Sequence, residues 1–280
     1  MPDLSTFMLP GVPAPIFWLF IAAAILIQGI SKSGFAGGAG ILSLPLMMLV
    51  MPVDKVVACL LPLLILCDMN AIYHHWHNKV WRNILRIYLP AVVGILLGVL
   101  VWWWAGREEV ESYELSIKRF VGVIAILFGL YIIAKERSLR WVSEHQPGNK
   151  SALAAGLSAG FTSTIAHAAG PIVSLYMFAL GMGKTLFVGT VAWTFTLINL
   201  TKLPFYVGIG LIEWEILRFD LFLIPLIPIG SFLGHWMHHR ISEYWFNRVI
   251  MVLTLIAGVQ LVLNVNVVLM ALSWFLSPAL

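Results

Sequence analysis

The sequence predicts an all-α integral membrane protein of two inverted-topology repeats, each a broken-helix hairpin followed by three transmembrane helices. Three observations predict this class: a membrane-like composition, pairs of short apolar segments interrupted by glycine, and an internal repeat whose loops alternate in charge. The first repeat is predicted to occupy residues 1–135 and the second 151–280, with a cytoplasmic linker at 136–150.

Composition places the chain in the membrane class. Of its 280 residues, 60% are hydrophobic and 11% are charged, whereas a soluble domain carries about 25% charged residues. Charge-free runs within 86–107 and 150–184 are long enough to approach or exceed the roughly 20 residues of a membrane-spanning helix. Lys and Arg are scattered at segment ends and form no patch, which argues against nucleic-acid binding.

Apolar runs between charges and prolines define ten candidate segments. Four of them are short and form two pairs, each interrupted by glycine and polar residues. About 15 residues rising about 1.5 Å each reach about 22 Å, short of a hydrocarbon core of roughly 30 Å. The four are therefore predicted to be half-helices, at 16–31, 38–53, 151–166 and 168–182.

An internal repeat relates the two halves. The offset between matched residues changes little along the chain, and chance similarity of apolar segments explains poorly so many ordered Gly, Pro, Asn and Trp matches. The matches include Gly34 with Gly160, Gly40 with Gly170, Lys55 with Lys184, Asn70 with Asn199, Trp81 with Trp214, Pro90 with Pro225, Gly98 with Gly234 and Arg119 with Arg248.

Loop charge predicts that the two halves have opposite orientations, because Lys and Arg concentrate in cytoplasmic loops. Loops 73–86 and 135–150 are basic and predicted inside, and the Glu-rich loop 105–118 between them is predicted outside. In the second half, loop 206–217 is predicted outside and loop 238–248 inside. The reversal requires each broken pair to enter and leave on one side, which puts both termini outside. Such inverted repeats with discontinuous helices are typical of secondary transporters, whose substrate site lies at the breaks.

The two breaks contain the candidate binding residues. At hairpin tips they would lie deep in the membrane, where non-helical backbone is tolerated only if it is buried in protein or lines a cavity. Half-helices that begin at the tips would point free N–H groups inward, which favours an anion. The predicted substrate-binding residues are Ser31, Lys32, Ser33, Gly37, Gly38, Asn70, Thr162, Ser163, Thr164, His167 and Asn199.

Each of these candidates has a structural alternative. A buried Lys32 ammonium is costly without a counter-charge or an anionic substrate, but Lys32 could instead snorkel to an interface. His167 is either a proton-coupling group or a buried structural histidine. Asn70 and Asn199 would line a pore or form hydrogen bonds between helices.

Polar residues near segment ends favour simpler interpretations. Lys202 is interpreted first as an interfacial anchor and second as a substrate residue, and Asp68 as a solvated segment end. The cluster His74, His75 and His77 matches no strong zinc signature, and the tryptophans beside it favour an interfacial belt. No metal site and no cofactor are predicted.

The motifs of both halves resemble the TauE/SafE sulfite exporter family of membrane permeases. Nearly the whole chain is covered, from about residue 20 to 262. The resemblance implies a multi-pass protein of the bacterial inner membrane that moves sulfite, organosulfonates or related sulfur-containing or carboxylate anions, driven by an ion gradient. It is carried by the glycine-rich run 34–40 with Pro45, residues 74–82, the helix at 90–98, the motifs GFTSTIAHAAGP and GMGKTLFVGT, residues 199–204 and the helix at 225–234.

This chain departs from the glycine-rich family pattern at both breaks. Ala36 and Ala39 interrupt the first run, and Ala-His-Ala-Ala at 166–169 replaces much of the second. If those runs shape the anion site, the size of the pocket in this chain and the ligand that it binds differ from those of a sulfite site.

The leading hypothesis is alternating-access export of a small anion, with the lipid bilayer as surroundings and the proton as a candidate coupling ion. An anion channel on the same scaffold is the first alternative. An intramembrane enzyme, with His167 as base and Ser163 or Thr164 as nucleophile, is a weaker one, because no acidic residue lies within either break and no catalytic motif is found. The chain is therefore not expected to be an enzyme, and a homo-oligomer stays open.

Overall fold

The computed structural model describes residues 4–34, 38–106, 110–144, 147–240, 242–266 and 270. Within them the chain is helical and contains no strand, so the predicted all-α class is confirmed. The first half contains α1 (Ala14–Gly34), α2 (Ser43–Met48), α3 (Val53–His75), α4 (Trp81–Ala105) and α5 (Val110–Glu144). The second contains α6 (Asn149–Ala166), α7 (Gly170–Ala179), α8 (Lys184–Gly208), α9 (Trp214–Leu223), α10 (Leu226–Arg240) and α11 (Glu243–Leu263).

Several of these helices are long and apolar enough to cross a membrane. In the described residues, four qualify by length and composition: the spans Ala14–Lys32, Val53–Tyr73, Trp81–Ala105 and Thr185–Gly208. The pair α9 and α10, bent by 41° at its break, would make a fifth. Large apolar side chains on these helices, such as Leu97 and Leu221, are exposed, which is expected where a helix faces lipid. The chain is a multi-pass membrane protein.

The first predicted half-helix is wrong in its length. Helix α1 has 21 residues, enough for a full span, because Ser31 and Lys32 continue the helix and do not break it. The break follows α1, and the short 3-10 turn Gly38–Leu42 leads from it into α2, which has six residues. Helix α7 lies within the predicted half-helix 168–182 and, with 10 residues, is shorter than that segment.

The chain reverses along α1 after the first break. The backbone N–H of Gly40 donates to Oγ of Ser31 at 2.8 Å, and Oγ of Ser43 donates to the carbonyl of Ala24 at 2.8 Å. Gly40 thus contacts the last turns of α1, and Ser43 contacts a turn nearer its start. The 3-10 turn and α2 therefore run back along α1 as a hairpin.

The second break begins with a left-handed residue. His167 has φ 48° and ψ 28°, a conformation uncommon for residues other than glycine but less so for His than for branched residues. Its N–H donates to the carbonyl of Ser163 at 3.0 Å, and that of Ala168 donates to Thr162 at 3.3 Å. These two bonds satisfy the end of α6, and α7 then starts at Gly170 with a proline in its first turn, where its missing N–H costs nothing.

Small residues let the helices of different halves pack closely. Helix α4 packs on α6, where a Cβ on Gly160 would lie 2.0 Å from the carbonyl oxygen of Ala91. Helix α1 packs on α10, where a Cβ on Gly29 would lie 2.9 Å from Cα of Gly230. Close backbone approach through glycine is a usual means of helix association in membranes. Helices α3 and α8 also pack on each other, and they line the site described next.

The predicted boundary between the repeats falls within a helix. Helix α5 extends to Glu144, so most of the predicted linker at 136–150 is helical backbone, and α6 begins at Asn149.

Candidate functional site

A cavity of about 90 Å³ lies where the two breaks meet α3 and α8. One water molecule needs about 10–15 Å³ measured in this way, so the cavity is large enough for a small ion with several heavy atoms. Most of its wall is apolar. The polar side chains that line it come from four helices and from the second break, and they are Gln28, Lys32, Asp68, Ser163, His167 and Asn199.

An ion pair joins α1 to α3 at this cavity. Nζ of Lys32 donates to Oδ1 of Asp68, and Nδ2 of Asn199 donates to Oδ2 of the same carboxylate at 2.6 Å. The Lys32 side chain is 15% exposed and that of Asp68 is 2% exposed. The ring of Phe195 lies beneath the ammonium, 5.9 Å from Nζ to its centroid. Asp68 therefore has both oxygens bonded, while Lys32 retains an accessible side.

A second lysine lies behind the second break. Lys202 of α8 is fully buried, and its Nζ contacts the carbonyl oxygen of Ser163 at 3.1 Å, Oγ of Ser163 at 3.0 Å and Nδ1 of His167 at 3.0 Å. Three acceptors match the three hydrogens of an ammonium group. The interpretation of Lys202 as an interfacial anchor is therefore wrong: Lys202 lies in the interior and holds the break.

Two hydrogen bonds fix the ring of His167. Nε2 lies 2.9 Å from the carbonyl oxygen of Val57 on α3, and Nδ1 faces Lys202. A carbonyl can only accept, so Nε2 carries the hydrogen and Nδ1 accepts from the ammonium. This assignment describes a neutral imidazole that ties α6, α3 and α8 together.

The charges around the cavity do not balance. When both lysines are protonated, Lys32 and Lys202 supply two positive charges against the one negative charge of Asp68, among the described residues whose side chains form the site. A buried ammonium without a carboxylate partner is unfavourable in an apolar medium. A bound anion would offset the excess.

The positive end of a helix also faces the cavity. Ala169, Gly170 and Pro171 line it, and they form the start of α7. No side chain caps this end of α7, and the first N–H groups of a helix attract anions. The backbone thus adds to the positive potential of the two lysines.

The structure brings four of the predicted binding residues together. Lys32, Ser163, His167 and Asn199 line the cavity. Their role in binding a substrate stays a prediction. Ser31 is fully buried and caps the turn after the first break instead of reaching the cavity.

Other predicted binding residues lie elsewhere. Asn70 is exposed on α3 and is not among the residues that line the cavity. The hydroxyl groups of Thr162 and Thr164 donate to carbonyls of their own helix, at 2.7 Å and 2.9 Å. The carbonyl of Thr164 accepts from Trp102 at 3.0 Å, so this residue supports the break. Gly37 lies outside the described residues, nothing is described of the side chain of Ser33, and Gly38 starts the 3-10 turn.

Sequence reasoning missed two of the polar side chains in the cavity wall, those of Asp68 and Gln28. The sequence interpretation of Asp68 as a solvated segment end is wrong, because the residue is buried. The available signal was an acidic residue within the apolar span of α3, since intramembrane carboxylates usually have a function. Gln28 of α1 carried no comparable signal, because a neutral polar residue is a common helix contact in membranes.

The contacts of Ser163 and His167 bear on the enzyme alternative. Oγ of Ser163 accepts from Lys202, and both nitrogens of His167 are bonded to other groups, Val57 and Lys202. A nucleophile–base hydrogen bond between Ser163 and His167, which such an enzyme needs, is therefore not formed.

The predicted aromatic belt packs around a lysine. Nζ of Lys79 lies 4.6 Å from the ring centroid of Trp193, 5.1 Å from that of Trp76 and 5.5 Å from that of Trp81. These cation–π contacts attach the loop between α3 and α4 to α8.

Comparison with protein-family models matches residues 20–261 to the family described as Sulfite exporter TauE/SafE. No curated protein and no solved structure matches the chain.

Proposed function

The chain belongs to the TauE/SafE sulfite exporter family, and from this premise we propose that it exports sulfite, an organosulfonate or a related small anion by alternating access. The family is one of membrane transporters of sulfur-containing anions, and the multi-pass helical architecture agrees with it. We place the protein in the inner membrane of a bacterium. The observation that carries the proposal is the cavity, where residues of both halves meet and where two lysines, Lys32 in the wall and Lys202 behind it, accompany a single carboxylate, Asp68.

The anion binds, in this proposal, between Lys32 and the start of α7. Lys32 supplies the accessible ammonium, and the hydroxyl of Ser163 and the free N–H groups at the start of α7 supply further donors. Lys202 acts through Ser163 and His167, which it contacts directly. Charge-assisted hydrogen bonds of this kind are about twice as strong as neutral ones.

Asp68 competes with the substrate for Lys32. Its ion pair keeps Lys32 charged and partnered when the cavity is empty, which avoids the cost of a lone buried charge. An arriving anion displaces the carboxylate from the ammonium, and Asp68 keeps its hydrogen bond from Asn199. When Asp68 returns to Lys32, it helps the anion to leave, so that the site does not trap its cargo.

The cavity wall favours an anion with an apolar part. Leu60, Leu64 and Phe187 line it beside the polar groups, and a carbon skeleton would cover them while the sulfonate faces Lys32. Ala166 and Ala169, which replace glycines of the family pattern, also line the cavity, and their methyl groups add to its apolar surface. Within the proposed class, an organosulfonate thus fits this cavity better than sulfite does.

The packing of the helices supports two inverted repeats. The predicted repeat matches α1 with α6 and α4 with α10, so the close pairs α4–α6 and α1–α10 are equivalent to each other. Helix α5 packs on α11, its own counterpart. In alternating access, one half would rock against the other about the cavity. Single cysteines at His77 and Ser242, which lie in the loops predicted inside, should be labelled from the cytoplasmic side. Labelling of the two from opposite sides would contradict the inverted repeat.

Counterflow in proteoliposomes tests the function. Vesicles loaded with unlabelled sulfite or sulfoacetate should take up the labelled anion transiently and with saturation. A channel would instead show large unitary currents without counterflow. If neither anion exchanged faster than in protein-free vesicles, the proposed function would be wrong.

A further inference from the structure

A buried carboxyl group lies outside the substrate cavity. Asp220 of α9 is 3% exposed and is not among the residues that line that cavity. Its Oδ1 lies 2.7 Å from Sγ of Cys59 on α3, and its Oδ2 has no hydrogen-bond partner. An acidic residue within the apolar part of a membrane protein is expensive and usually functional.

Among the described residues, no cation pairs with Asp220. Helix α3 presents the Cys59 thiol, which is the titratable group that acts on the carboxyl. The amino-terminal segment and α1 pack on the preceding residue of α9, Phe219, through aromatic rings: the ring centroid of Phe7 lies 4.5 Å and that of Trp18 5.6 Å from that of Phe219. The described ion pairs, Lys32–Asp68 and Lys118–Glu114, do not involve Asp220.

These contacts fit a carboxyl that carries a proton. An ionised Asp220 would hold a charge in an apolar environment with one oxygen unbonded, which is strongly unfavourable. The neutral acid avoids that charge. Asp68 shows the contrast, since its ionised form is matched by Lys32 and Asn199.

Asp220 lies where α9 is able to change direction. Helix α9 ends at Leu223, and the axis bends by 41° before α10 continues. Pro225 lies in the gap and lacks the N–H that would bond the carbonyl of Leu221. Broken transmembrane helices are the elements that move in many transporters, so the environment of Asp220 is expected to differ between conformations.

Helix α3 connects Asp220 to the substrate cavity. Cys59 contacts Asp220, the next residue, Leu60, lines the cavity, and the carbonyl of Val57 bonds to His167. A movement of α9 that displaces α3 would therefore act on both sites. A shared rigid helix is a physical means of coupling them.

Resting on the proposed function, we propose that the Asp220 carboxyl is the proton-binding site that couples anion transport to a proton gradient. It binds one proton in the conformation described and releases it when α9 and α10 move about their break. On release, the O–H bond breaks, the proton passes to a water molecule admitted at the break, and the electron pair stays on the carboxylate. Rebinding on the other side of the membrane reverses the step.

His167 is less suited to this role. Both of its nitrogens are bonded, and a second proton on Nδ1 would face the ammonium of Lys202. Asp220 has an unbonded oxygen and no cation beside it among the described residues.

The test compares two transport assays in proteoliposomes, with sulfoacetate and sulfite as probes. Counterflow exchange at equal pH needs the anion site alone, whereas accumulation of the anion driven by a pH gradient also needs the proton site. One proton per anion and a gradient of one pH unit support about tenfold accumulation by the wild type. Asp220→Asn should retain counterflow near the wild-type rate and lose this accumulation. Retention of both would overturn the inference.

Two further variants keep the test decisive. Asp54→Asn, on α3 outside the cavity, is the matched control and should keep the accumulation. If Asp220→Asn fails to fold, Asp220→Glu replaces it, because a longer carboxyl in a changed environment should shift the pH midpoint of gradient-driven uptake. An unshifted midpoint would then overturn the inference. Absence of counterflow in the wild type with both probes would instead sink the proposed function, and this inference with it.

Discussion

Nζ of Lys202 lies 3.0 Å from Nδ1 of His167. This contact joins a buried cation of α8 to the left-handed residue that ends α6, so the shape of the second break and the charge behind it are set together. The same ammonium bonds both the hydroxyl and the carbonyl of Ser163. Lys202 thus holds Ser163, one of the donors that we propose for the anion.

Replacement of Lys202 by Met should reduce anion counterflow at least about tenfold, because a hydrogen bond to a charged group contributes about 1.5–3 kcal/mol. The substitution removes the ammonium group but keeps an unbranched side chain that is only one atom shorter. Lys118→Met, which removes an i,i+4 pair with Glu114, is the control and should transport normally. Counterflow of Lys202→Met equal to that of the wild type would show that Lys202 does not support the site.

Replacement of Asp68 by Asn should lower the KM for the anion. The substitution removes the charge of the carboxylate that competes for Lys32. Loss of one hydrogen bond between charged groups changes affinity about tenfold, so the KM should fall by about that factor. The maximal rate should fall, because release loses the same competitor. Initial rates of uptake over a range of anion concentrations measure both quantities. A raised or unchanged KM would contradict the role of Asp68.

The sequence predicted the site better where the chain breaks than within its helices. Lys32, Ser163 and His167 lie beside glycine-rich or polar interruptions, which are visible in the order of residues. Asp68 and Lys202 lie on regular helices near their ends, where a charged residue usually reaches water or an interface. Their burial depends on which neighbouring helix covers them, and that information is tertiary.

The repeat also predicted Asn199 but not its partner. Matching by residue type made Asn70 the equivalent of Asn199 in the first repeat. The residue of α3 that accepts a hydrogen bond from Asn199 is instead Asp68, two positions before Asn70. In a helix, two positions turn a side chain by about 200°, to the opposite face. This accounts for the exposure of Asn70. Likewise, the length of α1 was underestimated because its polar last turn resembles a break.

The left-handed conformation of His167 predicts an order of stability for two variants. His167→Gly and His167→Ala both remove the imidazole, but only the alanine retains a Cβ, which costs about 1–2 kcal/mol in this conformation. The glycine variant should therefore unfold at a higher temperature. Thermal unfolding in detergent measures the difference. An alanine variant as stable as the glycine variant would argue against the left-handed end of α6.

Replacement of Gly160 by Ala should weaken the packing of α4 on α6. The added Cβ would lie 2.0 Å from the carbonyl oxygen of Ala91, so backbone must shift, and overpacking typically costs about 1–3 kcal/mol. Gly148→Ala, whose added Cβ meets nothing within 4 Å, is the matched control. Thermal unfolding should separate the two variants. Equal stabilities would mean that the two helices are further apart than described.

Equilibrium binding of sulfoacetate and sulfite to purified protein tests the central claim most directly, because it needs neither a gradient nor turnover. The wild type should bind at least one of them with saturation, Lys32→Gln should weaken that binding at least about tenfold, and Lys118→Gln should leave it unchanged. Binding by Lys32→Gln as tight as that of the wild type would contradict an anion site between the two breaks.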